Sequence, residues 1–323
     1  MRYRVDVFDT KILDRETERA VLDAVDATVE THDLNAAEKV AAAASNADAM
    51  LVDAGTEVTV EVFEAADSLQ VVGRAGIGVD NVDLEAASDH DVTVVNMPTY
   101  SIDEVSTHAF ALMLACVRSI PTFDRSVKND EWDWTTGAPI WRLAGDTVGL
   151  VAFGKISRRF AAKLQGFDVD VIAADPYVPD YRMTDLGVEK VSFDELLARS
   201  DIVSIHAPHT DETDELFDAD AFAAMDDDAI LVNTGRGGIV NEDALYDALA
   251  DGDLGGAGLD VRESEPPGDS PLHDREDVVC SPHMAWYSED SREELTRTLT
   301  EDVVRVLRGE EPENPVDPET DWF

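Results

Sequence analysis

Only two cysteines, Cys116 and Cys280, occur in 323 residues. No disulfide framework can be built from so few, and both sit in apolar contexts that predict core positions. Basic residues are scarce too: 25 Lys and Arg stand against 70 Asp and Glu, a formal net charge of −45. Nucleic acid is thereby excluded as a main partner, because phosphate binding needs a basic footprint. An anionic membrane surface is disfavoured on the same ground. No apolar run reaches the ~18–20 residues of a membrane span. The stretch Met1-Arg2-Tyr3-Arg4-Val5-Asp6 runs straight into alternating apolar residues, without the apolar core of a signal peptide. These absences predict a cytoplasmic protein. Apolar residues are not scarce: they make up 44% of the chain, enough for a sizeable core and incompatible with disorder. The length fits two domains at ~150 residues each.

The acidic residues are spread along the whole chain, as in Asp211-Glu212-Thr213-Asp214-Glu215 and Asp226-Asp227-Asp228. Charge of this size destabilises a compact chain by self-repulsion unless salt screens it. The pattern predicts adaptation to high salt, as in a halophile. A specific cationic partner is the alternative.

Short apolar runs alternate with helical patterns, which predicts parallel α/β sheets. In the first part, strands are expected at Val5–Phe8, Met50–Val52, Val71-Val72 and Val92–Val95, and helices near 14–25 and 59–66. A long helix, 103–117, leads to an irregular stretch near 121–143 that holds Trp132, Trp134 and Trp141. A second series begins at Thr147. Its expected strands are Val148–Ala152, Val169–Ala173, Ile202–His206, Ile230–Asn233, Gly256–Leu259 and Val278–Cys280, with helices such as 193–199 and 243–250 between them. A last helix, 292–308, is followed by Pro312, Pro315 and Pro318, which permit no further helix.

The turn after Val148–Ala152 is the place to look for a nucleotide. A dinucleotide fingerprint reads Gly-x-Gly-x-x-Gly, and this chain has Ala152, Gly154 and Ser157 there. The surviving Gly154 is the one that lets a pyrophosphate approach the backbone, with helix amides at Lys155 and Ile156 to bind the anion. Alone, the pattern fits any strand–turn–helix. Asp175 adds weight, ending the next strand 21 residues after Gly154. An acidic side chain there can hydrogen-bond both ribose hydroxyls and repel a 2′-phosphate, so NAD is expected over NADP.

Four further motifs carry a resemblance. Arg74-Ala75-Gly76-Ile77-Gly78-Val79-Asp80-Asn81-Val82-Asp83, Asn233-Thr234-Gly235-Arg236-Gly237-Gly238-Ile239-Val240, Leu259-Asp260-Val261-Arg262-Glu263-Ser264-Glu265-Pro266 and Ser281-Pro282-His283-Met284-Ala285-Trp286-Tyr287-Ser288-Glu289 occur in this order. They resemble the signatures of the D-isomer-specific 2-hydroxyacid dehydrogenases, and the similarity covers nearly the whole chain. The run from His283 to Glu289 is most similar to the subgroup of C-terminal-binding-protein corepressors and their phosphoglycerate-dehydrogenase-like relatives. Ala152 and Ser157 depart from the family pattern. So does Asp53, where a basic residue would help bind a substrate phosphate, which counts against 3-phosphoglycerate.

The resemblance implies two Rossmann-like, doubly wound parallel-sheet domains. The substrate domain is expected to be flavodoxin-like and discontinuous, from 1–97 and 288–323, with the NAD-binding domain at 98–287. It implies an NAD-dependent enzyme reducing a small 2-keto acid, and a homodimer; the three tryptophans are read as buried at a dimer interface rather than as a stacking platform. The alternative is an NAD(H)-sensing dimeric binding module like the corepressors. The residues suit the enzyme. Arg236 can hold a carboxylate and a carbonyl oxygen through its planar fork. His283 would be the acid/base, with Glu265 orienting the ring and stabilising its protonated form. Ala75, Gly76, Ile77 and Gly78 would meet the substrate carboxylate, and Trp286 would shape a pocket for its side chain. Asp260 would contact the nicotinamide, beside Thr234 and Gly235. His206, Ala207, Pro208 and Thr213 would border the adenine and pyrophosphate. His108 is read as structural or interdomain. No metal is expected, since His206 and His209 lack a partner ligand.

Overall fold

The computed structural model describes residues 3–8, 11–34 and 36–317; Met1, Arg2 and the chain from Pro318 on lie outside it. The chain divides into two compact units. One takes the chain up to Ser101 and from Tyr287 onward, and the other is Ile102–Trp286.

The first unit begins β1 (Arg4–Phe8), α1 (Arg15–Leu22), β2 (Thr28–Thr31), α2 (Ala37–Ala44), β3 (Ala49–Val52), α3 (Val60–Ala65), β4 (Val71–Arg74), α4 (Leu84–Asp89) and β5 (Thr93–Val95). Its five strands are parallel in the order β2-β1-β3-β4-β5, the flavodoxin-like arrangement. Ala-Met-Leu-Val in β3 is buried throughout, as a strand covered on both faces must be. β2 is the exposed edge. There Arg4 holds buried Asp6 at 2.9 Å and Glu30 at 3.2 Å, and His32 Nε2 lies 2.7 Å from Asp6. Asp6, Glu30 and His32 bring ligand-type atoms together, but the guanidinium already occupies both carboxylates.

The second unit runs α5 (Ile102–Val117), α6 (Ile120–Lys128), β6 (Thr147–Val151), α7 (Lys155–Leu164), β7 (Asp170–Ala174), α8 (Asp180–Thr184), β8 (Glu189–Lys190), α9 (Phe193–Arg199), β9 (Ile202–Ile205), α10 (Ala219–Ala223), β10 (Ile230–Asn233), α11 (Glu242–Asp251), β11 (Gly256–Leu259) and β12 (Val278–Cys280). Its seven parallel strands have the order β12-β11-β10-β9-β6-β7-β8. The order reverses beside β6, the first strand of the series, and such a switch point is where open α/β sheets take ligands. α7 shows how the sequence packs. Phe160, Ala161 and Leu164 are buried, while Arg159 and Lys163 turn outward to Asp103 of α5 at 2.6 and 2.9 Å. Each large apolar side chain so buried contributes about 1.5–3 kcal/mol.

The chain then re-enters the first unit as α12 (Glu289–Leu307). Ser288 caps it, accepting from the Ser291 amide at 2.9 Å and donating its own amide to Ser291 Oγ at 2.8 Å. Leu299 and Val303 of this helix are fully buried, against the backbone of Gly73 in β4.

One sequence expectation is corrected. Cys280 is exposed and Cys116 half-buried, rather than both in the core. For Cys280 the reason is that β12 is an edge strand; Cys116 lies in the last turn of α5. Burial still pushes the Cys116 thiol up to about 12, which keeps it unreactive. Trp132, Trp134 and Trp141 are 91%, 78% and 61% exposed in the single chain. Among the described residues, no helix is long and apolar enough to cross a membrane.

Candidate active site

The fingerprint turn follows β6 directly. Ala152 adopts φ +67°, the left-handed conformation for which the pattern uses glycine. An L-residue there stores strain of about 1–2 kcal/mol. The turn is held by its neighbours. The Phe153 amide donates to Asp175 Oδ2 at 2.7 Å, and Arg158 Nε donates to the Phe153 carbonyl at 3.0 Å. Gly154 is the N-cap of α7, in extended backbone, and a Cβ on it would meet nothing within 4 Å. A helix N-terminus with open space before it is suited to an anion.

Asp175 is 9% exposed. Its Oδ1 accepts from the amides of Tyr177 and Val178 at 2.8 and 3.0 Å, and its Oδ2 from Phe153. A carboxylate has about four acceptor positions, so about one is left for a ribose rather than the two expected. Three buried polar atoms at or near the expected nucleotide contacts in sequence have no protein partner: Ser157 Oγ, His206 Nδ1 and Thr234 Oγ1. Such atoms are costly without a partner, and a bound ligand can supply one. With the open space at Gly154, they fit a dinucleotide.

His206 packs on Phe160, with ring centroids 5.3 Å apart, and its Nε2 lies 3.0 Å from Ser204 Oγ. Burial lowers its pKa from 6.5 to about 4. The unfolded chain therefore takes up the proton first as pH falls. The stability tied to neutral His206 is intact above about 6.5 and is lost down to about 4, by up to ~3 kcal/mol. The Tm of the wild type should fall as pH is lowered through this window, and that of His206→Gln should fall less. Ala207 is buried, and Thr213 Oγ1 ties the loop by donating to the Pro208 carbonyl at 2.7 Å.

β10 ends in Asn233, which is 1% exposed. Its Oδ1 accepts from the Gly235 amide at 3.0 Å and its Nδ2 donates to the Arg236 carbonyl at 2.9 Å. Asn233 thus clamps the turn that presents Arg236, whose guanidinium donates to the Gly235 carbonyl at 2.9 Å. Gly237 is required next, because a Cβ there would lie 1.9 Å from the Arg262 carbonyl oxygen. Buried Arg262 orders the facing loop. It pairs with Glu242 at 2.6 Å, touches Ser270 Oγ and His273, and donates its amide to Glu265 Oε1 at 3.0 Å.

Glu265 and His283 meet there: Nδ1 lies 2.6 Å from Oε2. Burial works to raise the Glu265 carboxyl. The hydrogen bond and charge of His283, the Arg262 amide and the Arg236 charge outweigh it and hold Glu265 below its ordinary value. His283 itself is in the left-handed region, φ +50°. Asp260 imposes this. Its carbonyl accepts from the His283 amide at 2.7 Å, its Oδ1 from the Met284 amide and Ser281 Oγ, and its Oδ2 from the Ala285 amide. Asp260 was expected at the nicotinamide, but its carboxylate is largely engaged in shaping the His283 turn. His108 joins this cluster through Ser281 Oγ at 2.8 Å.

The structure therefore brings together Arg236, Glu265 and His283, and separately Gly154 and Asp175. Ala75, Gly76, Ile77 and Gly78 belong to the first unit, and Trp286 closes the second. Gly76 has φ +148°, and a Cβ on it would strike the Arg74 guanidinium at 1.8 Å. Asp53 forms a turn, accepting from the Gly55 amide and Thr56 Oγ1. Asn233 and Arg262 were missed as contributors. Their only sequence signal was adjacency to Arg236 and Glu265.

Residues 110–285 match the family described as D-isomer specific 2-hydroxyacid dehydrogenase, NAD binding domain. D-3-phosphoglycerate dehydrogenase of Mycobacterium tuberculosis is 42% identical over 273 residues, 84% of this chain and 52% of that protein. The chain spans about half the length of the curated relatives it matches. Among solved structures, TT0316 protein from Thermus thermophilus superposes with a TM-score of 0.89 at 30% identity, over 97% of this chain and 100% of the other. An acyclic imino acid reductase in complex with NADPH and D-Arg superposes with a TM-score of 0.86 at 27% identity, over 97% and 100%.

Proposed function

The chain belongs to the D-isomer specific 2-hydroxyacid dehydrogenase family, and from that premise we propose that it is an NAD-dependent D-2-hydroxyacid dehydrogenase interconverting a small 2-keto acid and its 2-hydroxy acid. The 2.6 Å pair between His283 Nδ1 and Glu265 Oε2, with Arg236 acting on the same carboxylate, carries the reading.

The coenzyme, when bound, supplies or accepts the hydride. The protein does the rest. Arg236 holds the substrate carboxylate and draws charge onto the carbonyl oxygen. His283, with Nδ1 on Glu265, has Nε2 to give that oxygen a proton, and to take it back in the reverse direction. Glu265 stays ionised and compensates the ring's positive charge. Gly154, Lys155 and Ile156 serve the pyrophosphate, Asp175 a ribose hydroxyl, and Thr234, Gly235 and the His206–Pro208 and Thr213 loop the rest of the nucleotide. Ala75–Gly78 serve the substrate carboxylate and Trp286 its side chain. The first unit is the substrate domain and the second the NAD domain.

The carboxylate of Asp53 argues against a phosphorylated substrate. The segment 118–142 supports a homodimer. It carries the three exposed tryptophans, and its four basic and four acidic residues balance in a chain of −45. The acidic surface supports a salt-rich cytoplasm as the working environment.

A panel of 2-keto acids with NADH, in molar salt and including 3-phosphohydroxypyruvate, tests the reading. Oxidation of NADH with unphosphorylated acids is expected. Bound NADH without turnover across the panel would sink it and favour a coenzyme-sensing module.

A further inference from the structure

One bridge over the nucleotide crevice carries an inference that rests on the reading above and goes past it. β7 and β9 lie on either side of β6, so the loops leaving their ends flank the fingerprint turn. Two strands on either side of a third are about 10 Å apart, a gap that a tyrosine and a glutamate can span together. Tyr177 does this. Its amide donates to Asp175 Oδ1 at 2.8 Å on the β7 side. Its phenol donates to Glu212 Oε2 at 2.6 Å on the loop after β9. Tyr177 is 50% exposed and Glu212 lies at the surface. One residue thus holds two carboxylates at its two ends, on the rim of one crevice.

The two carboxylates differ in what they can do. Asp175 is buried behind three amide donors, which spread and shield its charge. Glu212 is exposed, and Tyr177 ties it to the Asp175 side of the turn. Asp211 beside it adds a further exposed negative charge, and His209 is paired with Asp214 at 2.7 Å. The cations of this rim are Lys190, on the Val178 carbonyl at 2.7 Å, and Arg158, on the Phe153 carbonyl at 3.0 Å. We infer that Glu212, positioned by Tyr177, is a second determinant of coenzyme choice that excludes the 2′-phosphate of NADPH by charge. Fold alone does not decide this choice, since a neighbour with a TM-score of 0.86 is in complex with NADPH. A phosphate monoester carries about −1.5 to −2 near neutral pH, so the repulsion from one carboxylate is felt several-fold in affinity at short range and is reduced by salt.

The test titrates the full chain and its Glu212→Gln, Glu212→Lys and Tyr177→Phe variants with NADH and with NADPH, following coenzyme fluorescence. It is run at the lowest salt that keeps the chain folded and again in molar salt. Glu212→Gln should narrow the NADH-over-NADPH preference about 3–10-fold, through tighter NADPH binding. Glu212→Lys should narrow it further, and Tyr177→Phe, which frees Glu212 to move, by less. The differences should shrink in molar salt. An unchanged preference in both Glu212 variants overturns the inference, and so does an equal loss for both coenzymes, which marks a structural role. A wild type that binds neither coenzyme overturns the dehydrogenase reading first and this inference with it.

Discussion

Replacing His283 with glutamine is expected to lower kcat by about 10²–10⁴-fold, the usual worth of a positioned acid/base, while NADH binding stays within about twofold. Glutamine can still hydrogen-bond Glu265, so the loop keeps a partner at 2.6 Å range. What it lacks is a proton to give at neutral pH. The backbone supplies a control. His283 sits at φ +50°, where Asn is better tolerated than Gln. His283→Asn should therefore show the same loss of turnover with stability closer to wild type. If NADH binding fell as far as turnover in both variants, His283 would belong to the scaffold of the Asp260 turn rather than to the chemistry.

Arg236→Lys should cost about 10²–10³-fold in kcat/KM for the keto acid, or roughly 3–4 kcal/mol. The charge is kept, so Glu265 remains held below its ordinary value. The planar fork is lost, and with it the two-point grip on the carboxylate. Arg236→Gln removes the charge as well and should let the Glu265 carboxyl rise toward its ordinary value, moving the acid limb of the pH–rate profile upward. If Arg236→Lys were as active as wild type, the substrate carboxylate would have to be bound elsewhere.

The central strands could be read in the sequence because burial on both faces leaves unbroken apolar runs, as in Met50–Val52 and Ile230–Asn233. β2 and β8 could not. Both are edge strands, and Thr-Val-Glu-Thr and Glu-Lys carry no apolar alternation. The apolar pattern runs one residue past the ends of β6 and β9, to Ala152 and His206, because an apolar or aromatic residue just past a strand looks like more strand. The Arg236, Glu265 and His283 constellation was legible because its residue types have few other uses between glycines and prolines. Its supports were not. Asn233, Arg262 and the carboxylate of Asp260 act through backbone amides of turns, and an amide acceptor has no residue-type signature. Asp175 shows the same limit: spacing marks the strand end, but the three amides on the carboxylate come together only in the folded chain.

The double crossing between units also sets an order of synthesis. The first hundred residues leave the ribosome with β4 still lacking the helix that buries it, since Leu299 and Val303 of α12 follow the whole second unit. Ile102–Trp286 is contiguous and holds its own sheet and core, so it can close while the earlier segment waits with an apolar face uncovered. Chains released early, short of α12, should be the ones that chaperones retain and proteases clear.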